Sequence, residues 1–216
     1  MGKRVVSFVL SLALCATLLA GCGQEAASAS QDPELAGYER YTVTWFDVFD
    51  TVTTVIGYAA SQEEWDSQME ALHSDLVEYH QLYDIYHTYS GVTNLRDVND
   101  RAGQEPVEVD GRILGLLTEA KEMCETTGGK MNVAFGTVLK IWHNYREAAL
   151  DDPAQAAVPS LEELQAAAQH CDINDLILDE EASTVFFADP ELQLDVGSVG
   201  KGYAVEMVAR AAEERG

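Results

Sequence analysis

Leu194–Tyr203 reads LDVGSVGKGY, and this stretch decides the fold class. A strand-like run reaches the carboxylate of Asp195, a loop holding Gly197, Gly200 and Gly202 follows, and a helical segment begins at Tyr203. Glycines let a backbone approach a ligand closely, and a helix start presents unpaired N–H groups at its positive end, a cradle for phosphate. Lys201 adds a point charge suited to a phosphate, and Asp195 suits a sugar hydroxyl or a ring nitrogen. Two familiar phosphate motifs are excluded. A P-loop needs glycine where Asp195 stands and Ser or Thr where Gly202 stands, and a dinucleotide fingerprint opening at Gly200 needs a small residue where Val205 stands. The plain alternative is an ordinary strand-to-helix turn with a solvent-facing lysine.

Outward from this stretch, the chain alternates between the two classes of element. Leu176–Leu178, Val185–Phe187 and Leu192–Val196 predict a three-stranded meander, with turns at Asp179–Ala182 and Asp189-Pro190. Upstream, Ser160 and Glu163 cap a short helix running to about His170, after a linker over Asp151–Pro159. Helical spacing predicts further helices over roughly Val138–Ala149 and from Asp110 to Thr127, the latter with Ile113, Leu116, Leu117, Ala120, Met123 and Cys124 inward. Tyr89–Gly103 reads as a loop. Ser61–Tyr86 reads as a long helix opened by a Ser61/Glu64 capping box, and Thr42–Tyr58 as one or two strands. Strands flanking packed helices make the class α+β.

A second stretch, Thr127–Gly136 (TGGKMNVAFG), stops a helix at two glycines and passes through Asn132 to a third. Its backbone and Asn132 suit a flat heterocycle or its polyol chain; a helix C-cap followed by a turn is the competing explanation. Tyr79, Tyr83, Tyr86 and Tyr89 offer aromatic faces, although tyrosines at helical spacing are more often core. His73, His80 and His87 repeat every seven residues. Two helical turns separate neighbours by ~10 Å, too far to share one metal ion, and His80 with Asp84 is expected as a surface pair.

The first 21 residues carry a signal-peptide pattern. Lys3 and Arg4 precede an uncharged apolar run, Val5–Ala20, and Leu19-Ala20-Gly21-Cys22 has the form of a lipobox. The expectation is an exported protein anchored to the membrane by lipid on Cys22, with a flexible tether to residue 37 and a folded domain over 38–216. A net charge of −24 argues against nucleic acid and against electrostatic docking on anionic lipid. Cys124 and Cys171 are left to pair as a disulfide or to stay as buried thiols. No CxxC, HExxH or GxSxG is present, which removes zinc and ordinary hydrolase chemistry from consideration.

Together these segments resemble the FAD:protein FMN transferase family, ApbE. Thr127–Gly136 is similar to the family's T-x-G-x-[FM]-[DN]-x-x-x-G segment, with Trp142 matching a trailing tryptophan. Leu194–Ala204 is similar to its L-D-[LV]-[GS]-[GST]-[IV]-[AG]-K-G-Y-A hallmark. Asp50-Thr51 resembles an early D-T pair, and Leu82–Asn99 a helix end and loop closing on Asn. The resemblance implies a T-fold-like α+β domain that binds FAD and Mg²⁺. Lys130, Met131 and Asn132 would contact the flavin nucleotide, and Asp195 and Lys201 would hold FAD. Ser198 would offer an oxygen to Mg²⁺, and Phe49 and Tyr86 would pack on FAD. Asn132 stands where aspartate is commoner. The implied reaction moves FMN from FAD onto a threonine or serine hydroxyl of an acceptor protein in a membrane or exported redox system, with release of AMP. Family members continue for about a hundred residues beyond the G-K-G-Y helix, and that part carries the rest of the metal site. The catalytic groups are therefore expected outside this chain, and these residues alone are expected to transfer no flavin. An exported lipoprotein that binds FAD or another solute without catalysis, an inactive fragment, and an FAD pyrophosphatase are the alternatives.

Overall fold

In the computed structural model, residues 35–215 are described; the signal segment, Cys22 and most of the tether lie outside the described residues. Strands β1 (Glu39–Trp45) and β2 (Thr53–Ala59) pair as a two-stranded sheet, so of the one or two strands expected over Thr42–Tyr58 the structure forms two, the first beginning at Glu39. Helix α1 covers Gln62–Tyr83. The chain divides into two compact units, one comprising residues 35–42 and 56–65 and the other residues 43–55 and 66–215.

In the smaller unit, Tyr41 stacks on Trp65 at 5.5 Å between ring centroids. The cap of α1 forms as the sequence predicts. Ser61 Oγ accepts from Glu64 N at 3.2 Å, while the Glu64 carboxylate reaches back to Ala60 N at 3.0 Å, one residue before the usual position.

The larger unit contains α2 (Leu95–Asp100), β3 (Val107–Glu108), α3 (Gly111–Thr126), α4 (Gly136–Asp151), α5 (Leu161–Ala167), β4 (Leu176–Asp179), β5 (Thr184–Phe187) and α6 (Gly200–Arg215). The second sheet has the order β3-β5-β4, antiparallel throughout, with Val107 opposite Val185 and Leu176 opposite Phe187. Its inner face and the apolar face of α3 bury Ile113, Leu116, Leu117, Leu176, Val185 and Phe187 almost completely. Side chains of that size stabilise by about 1.5–3 kcal/mol each. Met123, placed on the same face from spacing, is 37% exposed.

Helix α6 begins at Gly200 rather than at Tyr203, and three further elements differ from the sequence-based expectation. First, α1 ends at Tyr83 rather than Tyr86, because Asp84 diverts the chain. Its carboxylate accepts from Tyr86 N, His87 N, the His87 ring and the Tyr89 hydroxyl at 2.6–3.0 Å, replacing a helical turn with side-chain bonds. Second, residues 89–103 are not all loop. Buried Asn94 caps α2, accepting from Arg96 N and Asp97 N, while Asp97 accepts from Asn94 N. This is a capping box with aspartate in the glutamate position.

Third, Leu192–Val196 is not a strand of the meander. The third strand beside β5 is β3, and Leu192–Val196 docks elsewhere. Asn99 Nδ2 donates to Leu194 O at 3.1 Å and Leu194 N donates to Asn99 Oδ1 at 2.8 Å. On the other side, Gly136 N donates to Gln193 O at 3.1 Å and Asp195 N to Val133 O at 2.8 Å, around a parallel bridge between Phe135 and Gln193. Gly136 is required there. A Cβ on it would lie 2.7 Å from the carbonyl carbons of Gln193 and Leu194.

Gly136→Ala should therefore destabilise the chain by about 1–3 kcal/mol. Gly202→Ala in α6, where a Cβ meets nothing within 4 Å, should be neutral or stabilising by up to about 1 kcal/mol. Chemical denaturation of both variants checks the pair. A second prediction concerns Asp84, whose side chain is 5% exposed. Burial opposes its ionisation, but the hydrogen bonds from Tyr86, Tyr89 and His87 outweigh burial and hold its carboxyl below the usual value. Its stabilisation is fully present above the unfolded value of ~3.9 and is lost as pH falls through the lowered one. Asp84→Asn should be less stable than the parent at pH 7, and the gap in denaturation midpoint should close as pH drops below about 4.

Candidate nucleotide site

The stretch after α3 is shaped by its glycines. Gly128 and Gly129 take φ of +63° and +78°, and Gly129 N closes the helix by donating to Cys124 O at 2.8 Å. The Thr127 hydroxyl donates to Met123 O at 2.7 Å and accepts from Met131 N at 3.1 Å, fixing the turn to the helix end. Lys130 is exposed. Met131 packs against the core, its sulfur 4.0 Å from the Ser198 hydroxyl. Asn132 Nδ2 donates to Cys171 O at 2.8 Å and Oδ1 accepts from Ala134 N at 2.9 Å. Its amide therefore builds the loop first, with one N–H left for a ligand. Asparagine at this position donates a bond that an ionised aspartate cannot.

The second stretch turns at Asp195. Asp195 Oδ1 accepts from Gly197 N at 2.9 Å, Val199 N and Gly200 N both donate to Val196 O, and α6 begins at Gly200. Lys201 projects from the first turn, exposed, with no carboxylate partner within 4.0 Å among the described residues.

Three clefts meet at Asp195. One, of about 480 Å³, is lined by Lys130, Met131, Asn132, Ser198 and Asp195. The next, of about 370 Å³, brings Phe49, Tyr86 and Lys201 to the same carboxylate, with Asp50, His80, Asp84 and Arg146. The third, of about 270 Å³, adds Arg96, Lys140, His143 and Asn144 to Tyr86 and Asp195. All eight ligand-facing residues expected from sequence thus line clefts that share one side chain. Five of the chain's 13 Lys and Arg residues stand there, in a chain of net charge −24. Arg96 pairs with Asp100 and Arg146 with Glu147, whereas Lys130, Lys140 and Lys201 have no carboxylate partner among the described residues.

Of the four tyrosines, Tyr79 and Tyr83 belong to the core. Tyr83 donates to Arg112 O at 3.0 Å, and burial raises its phenol. Tyr86 is 46% exposed and stacks on His143 at 5.0 Å with 27° between rings. Burial, then the negative charge of Asp195, raises its phenol. Burial, then its bond to Asp84, pushes the Tyr89 phenol up to about 12. The expected His80–Asp84 pair does not form. With α1 ended at Tyr83, Asp84 leaves the helical i,i+4 position and pairs with His87 at 3.0 Å. His80 Nδ1 instead accepts from Phe49 N at 3.1 Å, and His73 pairs with Asp47 at 3.0 Å.

Lys140, His143 and Arg146, on the polar face of α4, were not singled out from sequence. Periodicity marks only the apolar face of a helix, and Trp142, which the resemblance selects, is 43% exposed and lines none of the three clefts. Cys124 and Cys171 are buried free thiols. Among the described residues no cluster of three or more His, Cys, Asp or Glu is placed to hold a metal, and no helix is long and apolar enough to cross a membrane. Ser198, expected to offer an oxygen to Mg²⁺, lines the same cleft as Asp195.

Comparison with known proteins gives the family and the fold. The sequence profile of the ApbE family matches residues 47–216. An FAD:protein FMN transferase of Treponema pallidum is 32% identical over 121 residues, 54% of this chain and 32% of its own length. One of Haemophilus influenzae is 25% identical over 214 residues, 98% of this chain and 56% of its own. The chain thus spans between a third and just over half the length of these relatives. In fold, it resembles the crystal structure of the ApbE protein of Thermotoga maritima, with a TM-score of 0.66 at 23% identity over 81% of this chain and 52% of that one. The flavin transferase ApbE of Vibrio cholerae also gives 0.66, at 21% identity over 82% and 54%. With a profile match across most of its length and the fold in common, this chain belongs to the ApbE family.

Proposed function

We propose that the chain carries the dinucleotide-holding part of an FAD:protein FMN transferase. The observation that carries this reading is the meeting of both glycine-rich stretches at Asp195, beside three lysines that have no carboxylate partner among the described residues, in an otherwise acidic chain. A pyrophosphate joining two ring systems suits clefts that share a centre, contain aromatic faces and concentrate positive charge. Lys201, at the positive end of α6, faces a phosphate, and Lys130, Met131 and Asn132 take the flavin half. In the proposed reaction, a threonine or serine hydroxyl of the acceptor attacks the FMN phosphorus. The new P–O bond forms as the bond to the AMP phosphate breaks, the hydroxyl proton is released, and AMP leaves. Mg²⁺ belongs to this proposal as the counter-charge to the pyrophosphate, with Ser198 giving one oxygen. The acceptor would be an FMN-carrying subunit of a membrane or exported redox system, reached by a protein exported and lipid-anchored through Cys22.

Titration with FAD, followed by quenching of flavin fluorescence, tests the reading. Lys201→Ala and Asp195→Ala should each weaken binding by about tenfold to a hundredfold, the loss of one charge-assisted contact. Arg210→Ala, on the same helix outside the three clefts, should leave affinity unchanged. Affinity should also fall with added salt. A parent chain that binds no FAD would sink the proposal. With acceptor and Mg²⁺ present, protein-bound flavin with AMP marks transfer, free FMN with AMP marks pyrophosphatase action, and binding with neither product marks a carrier.

A further inference from the structure

The turn between β1 and β2 is strained. Phe49 and Asp50, neither of them glycine, take φ of 56° and 49° in succession, a region where the Cβ crowds the backbone and which persists only when the surroundings enforce it. Two contacts enforce it. Val48 is fully buried against Leu76 and Val208. Phe49 N donates to His80 Nδ1 at 3.1 Å, with the Phe49 and His80 rings edge-on at 5.6 Å. A backbone N–H only donates, so Nδ1 must accept and the imidazole proton sits on Nε2. Nε2 lies 3.3 Å from Tyr89 Oη, and the Tyr89 hydroxyl donates to Asp84 Oδ2 at 2.7 Å, which leaves Oη to accept from His80. Asp84 in turn accepts from Tyr86 N at 2.6 Å. The result is a strap of fixed bond directions with Phe49 N at one end and Tyr86 N at the other. Phe49 and Tyr86 both line the cleft that holds Lys201 and Asp195.

We propose that His80 is a positioning residue of the nucleotide site. Through Tyr89 and Asp84 it sets the gap between Phe49 and Tyr86, into which a planar ring of the ligand fits. The proposal rests on the dinucleotide reading. Of the three histidines in the seven-residue repeat, His73 and His87 are in ion pairs, and His80 has none among the described residues. His73 holds Asp47 of the same turn, but with an Asp47 side chain that is 60% exposed, so its bond constrains less.

Two readouts on the full chain test the proposal: amide hydrogen exchange at Phe49 without ligand, and FAD affinity. His80→Ala should speed exchange at Phe49 at least about tenfold and weaken FAD binding by about tenfold, the usual scale for one lost hydrogen bond. The thermal midpoint should move little, because the Val48 anchor remains. His80→Asn, whose Oδ1 replaces Nδ1 as acceptor, should keep Phe49 protected and recover part of the affinity. His73→Ala should leave both readouts unchanged. A Phe49 amide that stays protected in His80→Ala would overturn the clasp. Unchanged FAD affinity with a freed Phe49 amide would overturn the positioning role. Absence of FAD binding by the parent chain would strike the dinucleotide reading instead.

Discussion

The pinning of residues 192–195 between Asn99 and the 133–136 segment is the constraint on which the site depends. Asn99 is 5% exposed, and its carboxamide exchanges two hydrogen bonds with Leu194, doing for this segment what a neighbouring strand would do. Leu194 N–H and C=O are thereby satisfied where water does not reach, and an unpaired buried polar group would cost about 1–3 kcal/mol. On the opposite side, the close approach at Gly136 brings Gln193 against the start of α4. Both glycine-rich stretches are therefore parts of one hydrogen-bonded unit. Asp195 faces three clefts because the segment that carries it is held from two sides.

Sequence patterns made legible those elements whose physics is local. The cap of α1, the glycine stop of α3, the Ser160 cap of α5 and the start of α6 near the glycine loop all follow from side chains within a few residues of the feature they cause. What was not legible is what depends on distant partners. Leu192–Val196 has the apolar alternation of a strand, but its neighbours are a side chain from α2 and a loop, and alternation says nothing about who the partner is. Asn99-Asp100 has turn composition, yet Asn99 sits inside a six-residue helix because Asn94 and Asp97 cap it and Leu194 needs its amide. Phe46–Val52 has strand composition, but Val48 is drawn into the core beside Leu76 and Val208 and the backbone bends to reach it. The motif residues were legible in the site, whereas the polar face of α4 was not.

Charge distribution gives the site its direction. The chain is strongly acidic as a whole, so a ligand carrying two phosphates is repelled by most of its surface. Lys130, Lys140 and Lys201, with no carboxylate partner among the described residues, offset that repulsion at the junction of the clefts. The same cations paired to surface carboxylates would be nearly neutral towards a phosphate, which is why it matters more that Lys130, Lys140 and Lys201 lack a carboxylate partner among the described residues than how many they are. The acidic residues beside them, Asp50, Asp84 and Asp195, are not equivalent. Asp84 is spent on four internal hydrogen bonds, and Asp195 uses one oxygen to hold its own turn, leaving the other to face the clefts.

The same division between scaffold and ligand applies to Asn132, and comparing it with an aspartate at the same position shows why. Ionised aspartate accepts but cannot donate, so it would leave Cys171 O without the 2.8 Å bond that ties this loop to the segment after α5. Asparagine makes that bond and still caps Ala134 N. An aspartate there would also add a negative charge to the cleft that contains Lys130 and Asp195, which would disfavour an anionic ligand in a chain already rich in carboxylates. A single residue choice thus serves loop geometry and site electrostatics together, and for the same physical reason: an amide donates where a carboxylate cannot.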